Sequence, residues 1–190
     1  MQILRVEPTP NPNAVKFVVD ANLGAAAEFA DQQAAQDNDL AKALFEIDGI
    51  DTVFLNQNFI TISMTQEAEW HVVHSRVHEL ILRFEPPVVE APEGAEGADG
   101  INQVDKTKQG ALLEQITQLL QERVMPALAA DGGGLQVVDL EDKTLTIRYQ
   151  GACGTCPSAI AGTLGAIENL LKSEVDPEIR VVPAGMGMPY

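Results

Sequence analysis

The sequence predicts two small α+β domains joined by an acidic, flexible linker, and three patterns carry that expectation. Runs that alternate apolar and polar residues, such as 144–150, are written with the period of a strand. Runs with apolar residues three and four apart, such as Trp70, Val73, Val77, Leu80, Ile81 and Phe84, are written with the period of a helix. Between the two sets lies VVEAPEGAEGADGINQVDKTK at 88–108, biased to Gly, Ala, Pro and Glu with little to bury. The expected division is a first domain at 1–87, the linker at 88–108, a second domain at 109–183 and a frayed tail at 184–190.

In the first domain, 2–7 alternates as a strand, and three prolines in the Pro8–Asn13 loop then block regular structure. A second strand follows at 14–20. The Ala- and Gln-rich stretch 23–38 reads as helix or loop. Leu40, Leu44 and Ile47 suit a short helix, stopped by Asp48-Gly49. Strands at 52–56 and 59–64 are joined tightly at Gln57-Asn58. A helix over about 67–84 carries the Trp70 stripe and ends at Pro86-Pro87.

The second domain is expected in the order α-β-β-α-β. Leu112, Ile116, Leu119, Leu120, Val124 and Leu128 write one long helix with a break at Pro126. Asp131-Gly132-Gly133-Gly134 ends it, since Gly tolerates the left-handed cap conformation. A hairpin follows at 135–140 and 144–150, then a cysteine-bearing turn, a helix to about Lys172 and a last strand at 179–182.

Charge narrows the function. The chain of 190 residues carries a net charge of −16. Asp and Glu outnumber Lys and Arg 13 to 5 in 1–87, 5 to 2 in 88–108 and 10 to 5 in 109–190. Nucleic-acid binding needs clustered Lys and Arg, and so does attraction to anionic lipid, so no nucleic acid and no membrane are expected as partners. No apolar run approaches the ~20 residues of a spanning helix. The N-terminal MQILRVEPTPNPN has neither the pattern of a secretory signal nor that of a transit peptide, and a cytoplasmic location is expected.

The two cysteines, Cys153 and Cys156, form a C-x-x-C between strand-like and helix-like runs. Pro157 suits the first helical turn. Thiols at a helix N-terminus meet unpaired N–H groups and the positive end of the dipole, which favour the thiolate that ligates metal or attacks a disulfide. A closed zinc site or an iron–sulfur cluster usually takes four protein ligands. The second domain offers two cysteines and no histidine, so two chains pool their pairs, or the chain mixes Cys with His, or no metal is bound. His71, His74 and His78 share one helix face in the first domain and read as solvated residues bordering the core. A thioredoxin-like thiol–disulfide oxidoreductase using the same dithiol is the alternative function.

Taken together, these residues resemble the Nfu and NifU-like iron–sulfur cluster scaffold and carrier proteins. In the second domain the resemblance rests on V-M-P-A-L-A-A-D-G-G at 124–133, G-A-C-G-T-C-P-S-A at 151–159 and T-L-x-x-I-E at 163–168. In the first it rests on T-P-N-P-N-A-V-K-F at 9–17 and the Trp70 helix. The family commonly carries an acidic residue after D-G-G, where this chain has Gly134. The resemblance implies a carrier rather than an enzyme. It implies one [4Fe–4S] cluster shared between two chains, each supplying Cys153 and Cys156 as metal ligands. Apo iron–sulfur client proteins, an upstream assembly machinery and a homodimer when loaded are the partners it implies. Such a core with four thiolates carries about −2 charge, which two helix N-termini suit. Gly151 and Gly154 would let backbone approach it closely.

Overall fold

The computed structural model describes residues 1–85, 110–152 and 157–184. The expected linker, the cysteine pair with Gly154, and nearly all of the tail lie outside them. The chain divides into two compact units, Met1–Glu96 and Gly97–Tyr190, each α+β as the patterns predict.

The first unit is built on a five-stranded sheet in the order β1-β2-β5-β4-β3, every neighbouring pair antiparallel. Its strands are β1 (Ile3–Pro8), β2 (Ala14–Val19), β3 (Ala27–Phe29), β4 (Ile50–Asn56) and β5 (Phe59–Met64). Helices α1 (Asp39–Leu44) and α2 (Trp70–Arg83) cover one face. Alternation explains which residues they meet: Phe17, Val53, Leu55, Ile60 and Ile62 point to the helices and pack with Leu44, Val73, Val77 and Ile81. On the opposite face the Lys16 ammonium lies 4.9 Å from the Phe59 ring centroid, and Phe59 packs against Phe54. The helix α1 starts where Asn38 Oδ1 accepts the Ala41 N–H at 2.9 Å, an N-cap.

The strand β3 corrects the expectation of helix or loop at 23–38. Ala27, Glu28 and Phe29 pair with Leu55, Phe54 and Val53, so an available sheet edge orders a stretch whose own pattern favours nothing. The Pro-Asn loop is a built connector. Thr9 Oγ1 donates to the Ala14 carbonyl at 3.0 Å, the Asn13 N–H donates to Asn11 Oδ1 at 2.9 Å, and the Ala14 N–H donates to the Asn11 carbonyl at 3.0 Å.

The second unit runs α3 (Gly110–Arg123), α4 (Met125–Ala130), β6 (Gly133–Glu141), β7 (Thr144–Gly151), α5 (Pro157–Glu174) and β8 (Arg180–Pro183). Its order is therefore α-α-β-β-α-β, because the expected long helix divides. Pro126 causes the division, but the break falls two residues earlier, at Val124. Pro126 has no N–H for the Glu122 carbonyl four residues back, and its ring crowds that carbonyl. The bonds on either side survive: the Val124 N–H donates to Leu120 at 2.9 Å, and the Leu128 N–H to Val124 at 3.1 Å.

In the three-stranded sheet, β6 and β7 are antiparallel and β8 adds parallel to β7. Ile116, Leu120 and Leu128 from α3 and α4, and Ile167 and Leu171 from α5, close over Leu135, Leu145, Ile147 and Val181. Among the described residues no helix is long and apolar enough to cross a membrane.

Candidate functional site

Residues Cys153 and Cys156 are outside the described residues, but both ends of the segment that bears them are defined. It leaves from the end of β7 and enters α5, which starts at Pro157 as expected. At the leaving end, Gly151 has φ +65°, a left-handed conformation that glycine adopts without penalty. The next residue, Ala152, is buried and donates its N–H to the Gly132 carbonyl at 3.2 Å. Gly132 itself has φ +77° and caps α4, its N–H donating to the Ala129 carbonyl at 3.1 Å.

The end of α4, the start of β6 and the end of β7 thus meet just before the cysteine-bearing segment. This refines the reading of the glycine run. Gly132 ends the helix, while Gly133 and Gly134 are buried residues of β6 opposite Gly151 and Gln150. Gly134, which follows D-G-G, is therefore a strand residue and not part of the helix cap.

Further along α5, Glu168 ties the helix to β8, a role the sequence patterns did not reveal. Its Oε2 accepts the Val181 N–H at 3.0 Å, and its Oε1 accepts from the Lys172 ammonium one turn on. The ammonium, and then that N–H, hold the carboxyl below the usual carboxylate range. This tie blunts a sheet edge. The Arg180 and Ala184 N–H groups donate inward to Lys143 and Ile147, so 181 and 183 turn theirs outward. Glu168 takes the first, and Pro183 has no N–H to offer. The Lys143 ammonium also reaches Asp176 Oδ2 at 3.0 Å and Glu178, fastening the hairpin turn to the α5–β8 loop. The signal for Glu168 was its place in T-L-x-x-I-E, a helical glutamate too close to the apolar stripe to be simply solvated.

The three histidines lie on α2, in the first unit. His71 is exposed, 3.7 Å from Glu69, as a solvated residue should be. His74 is less solvated than expected: its ring centroid lies 5.4 Å from Phe17 and 5.5 Å from Trp70, and His78 stacks on it at 6.2 Å. Trp70, expected as a half-buried packing residue, is exposed at 37%, because it opens α2 at the rim of the core and meets the His74 ring edge-on. Among the described residues no group of three or more His, Cys, Asp or Glu is assembled to hold a metal ion.

Residues 4–85 match the model of the scaffold protein Nfu/NifU N-terminal family, and residues 116–182 match the model of the NifU-like domain. The "NFU1 iron-sulfur cluster scaffold homolog, mitochondrial" of Drosophila persimilis is 29% identical over 185 residues, covering 94% of this chain and 64% of that protein. Its namesake in Drosophila willistoni is 28% identical over the same span, covering 62% of that protein. The chain thus spans less than two thirds of the length of these relatives. Among solved structures, the crystal structure of protein SAV1430 from Staphylococcus aureus is 20% identical, with a TM-score of 0.39, over 43% of this chain and 99% of that one. The solution structure of a NifU-like protein from Saccharomyces cerevisiae is 17% identical, with a TM-score of 0.36, over 43% of this chain and 77% of that one. Carrying both domains in order, the chain belongs to the Nfu/NifU family, with an Nfu N-terminal domain followed by a NifU-like domain.

Proposed function

We propose that this protein is an iron–sulfur cluster carrier that holds one [4Fe–4S] cluster between two chains and passes it to apo-proteins. The observation that carries the reading is the ligand count of the segment between β7 and α5. Each chain has two cysteines, Cys153 and Cys156, and a four-iron cluster usually takes four thiolates. Two chains supply them. The cluster is cargo here, and release is ligand exchange: client thiolates replace those of Cys153 and Cys156 on iron, with no change in oxidation state. The protein is no enzyme on this reading. Its partners are apo iron–sulfur clients and the machinery that builds the cluster, in a reducing cytoplasm.

The surface of α5 supports a second chain approaching near the cysteines. Gly162 and Gly165 are exposed, and a Cβ added at either would meet nothing within 4 Å. A glycine inside a helix costs about 1 kcal/mol relative to alanine, and no packing among the described residues requires these two. Close approach of another backbone gives them a purpose.

Anaerobic reconstitution with iron and sulfide tests the proposal, reading iron per chain, visible absorption and mass together. Four irons per two chains are expected, with cluster and dimer both lost in Cys153→Ala and in Cys156→Ala. A monomer that takes up no iron yet catalyses disulfide reduction would replace this reading with the thiol–disulfide oxidoreductase.

A further inference from the structure

The histidine face of α2 is chemistry that the cluster function leaves unused. His74 and His78 are one helical turn apart, which places their Cβ atoms roughly 5–6 Å from each other. Their rings already face one another, with centroids 6.2 Å apart and planes inclined by 28°. Both side chains are half-buried, and His74 is held between Phe17 at 5.4 Å and Trp70 at 5.5 Å. Rotamer freedom that two solvated histidines would lose on chelating an ion is therefore partly lost in the fold already.

Imidazole nitrogens bind late first-row metals at about 2.0–2.1 Å, so the ring centroids of two histidines on one tetrahedral ion lie about 5 Å apart. The observed pair needs to close by about 1 Å and to turn out of its stacked arrangement until one in-plane nitrogen of each ring points at the ion. We propose that His74 and His78 form a two-histidine chelate for a divalent late transition-metal ion, distinct from the thiol site. Imidazole suits Cu2+, Ni2+ and Zn2+, with Cu2+ bound most tightly. The two nitrogens are the protein's whole contribution, since no larger group of ligating side chains is assembled among the described residues. Water or an external ligand fills the remaining positions. His71 is exposed and turned to Glu69, and takes no part. A net charge of −16 raises the local concentration of any divalent cation. The bound ion bridges one turn of α2 and stabilises it by mass action.

The test uses the full, untagged chain carrying Cys153→Ser and Cys156→Ser, so that thiols cannot bind the probe. Zn2+, Ni2+ and Cu2+ are titrated calorimetrically, and thermal unfolding is followed with and without each ion. One ion per chain is expected, with a raised unfolding midpoint. His78→Gln should weaken binding at least tenfold and abolish the midpoint shift, while His71→Gln leaves both unchanged. No binding by the thiol-free chain, undiminished binding in His78→Gln, or an equal loss in His71→Gln would each overturn the two-histidine site. Unfolding without metal, measured on every variant, separates lost ligation from lost folding.

Discussion

Glu168 shows how one side chain can set the edge of a domain. Its carboxylate holds β8 to α5 through the Val181 N–H and balances the Lys172 ammonium, while its side chain remains 30% exposed. Both partners lower its folded-state pKa, so the sign of its pH effect follows. The contribution is fully present above the unfolded carboxyl range, near pH ~4.3, and is lost as pH falls through the lower folded value. Glu168→Gln keeps the shape but removes the charge. We expect it to cost about 1 kcal/mol at neutral pH, the exposed ion pair adding little, and to make acid unfolding less steep. Urea unfolding at pH 7 and at pH 3.5 checks this: an equal deficit at both would assign the loss to packing and not to charge.

Among elements, the α1–β4 connection illustrates a glycine that its surroundings require. Gly49 has φ +96°, and a Cβ there would lie 2.7 Å from the Ala68 Cβ and 3.3 Å from Val73 Cγ2. Gly49→Ala therefore meets both backbone strain and a clash with the segment leading into α2. We expect a loss of about 2 kcal/mol or more, read as a lower urea midpoint for the first unit. The α3–α4 break is an element-scale effect too: residue patterning wrote one apolar stripe across it, and the missing N–H of Pro126 divided the helix at Val124. The β6–β7 hairpin turns through Asp142 and Lys143, at φ +42° and +66°, without a glycine. The turn was legible from flanking alternation, but its left-handed geometry was not, because it follows from strand twist.

At the scale of the molecule, the described residues bury two separate cores. One draws only on the first unit, around Phe17, Leu55 and Ile62, and the other only on the second, around Ile116, Ile147 and Leu171. Each cluster contains both helix and strand residues, which a self-supporting domain requires. Residues 110–190 expressed alone should therefore fold. Far-UV circular dichroism and one cooperative urea transition are the expected result. A fragment lacking that transition would show the second core to be incomplete on its own.

Periodicity by itself determined the α+β class, the order of most elements and the apolar residues of both cores, because local backbone geometry decides which side chains share a face. The C-x-x-C and its flanking glycines pointed to thiolate chemistry before any fold was known. Tertiary structure alone decided the rest. It recruited β3 to an open sheet edge and buried Gly133 and Gly134 in a strand rather than a cap. It also set His74 among aromatic rings and turned Glu168 onto β8. Each of these depends on partners distant in sequence, and such contacts form only when the elements pack.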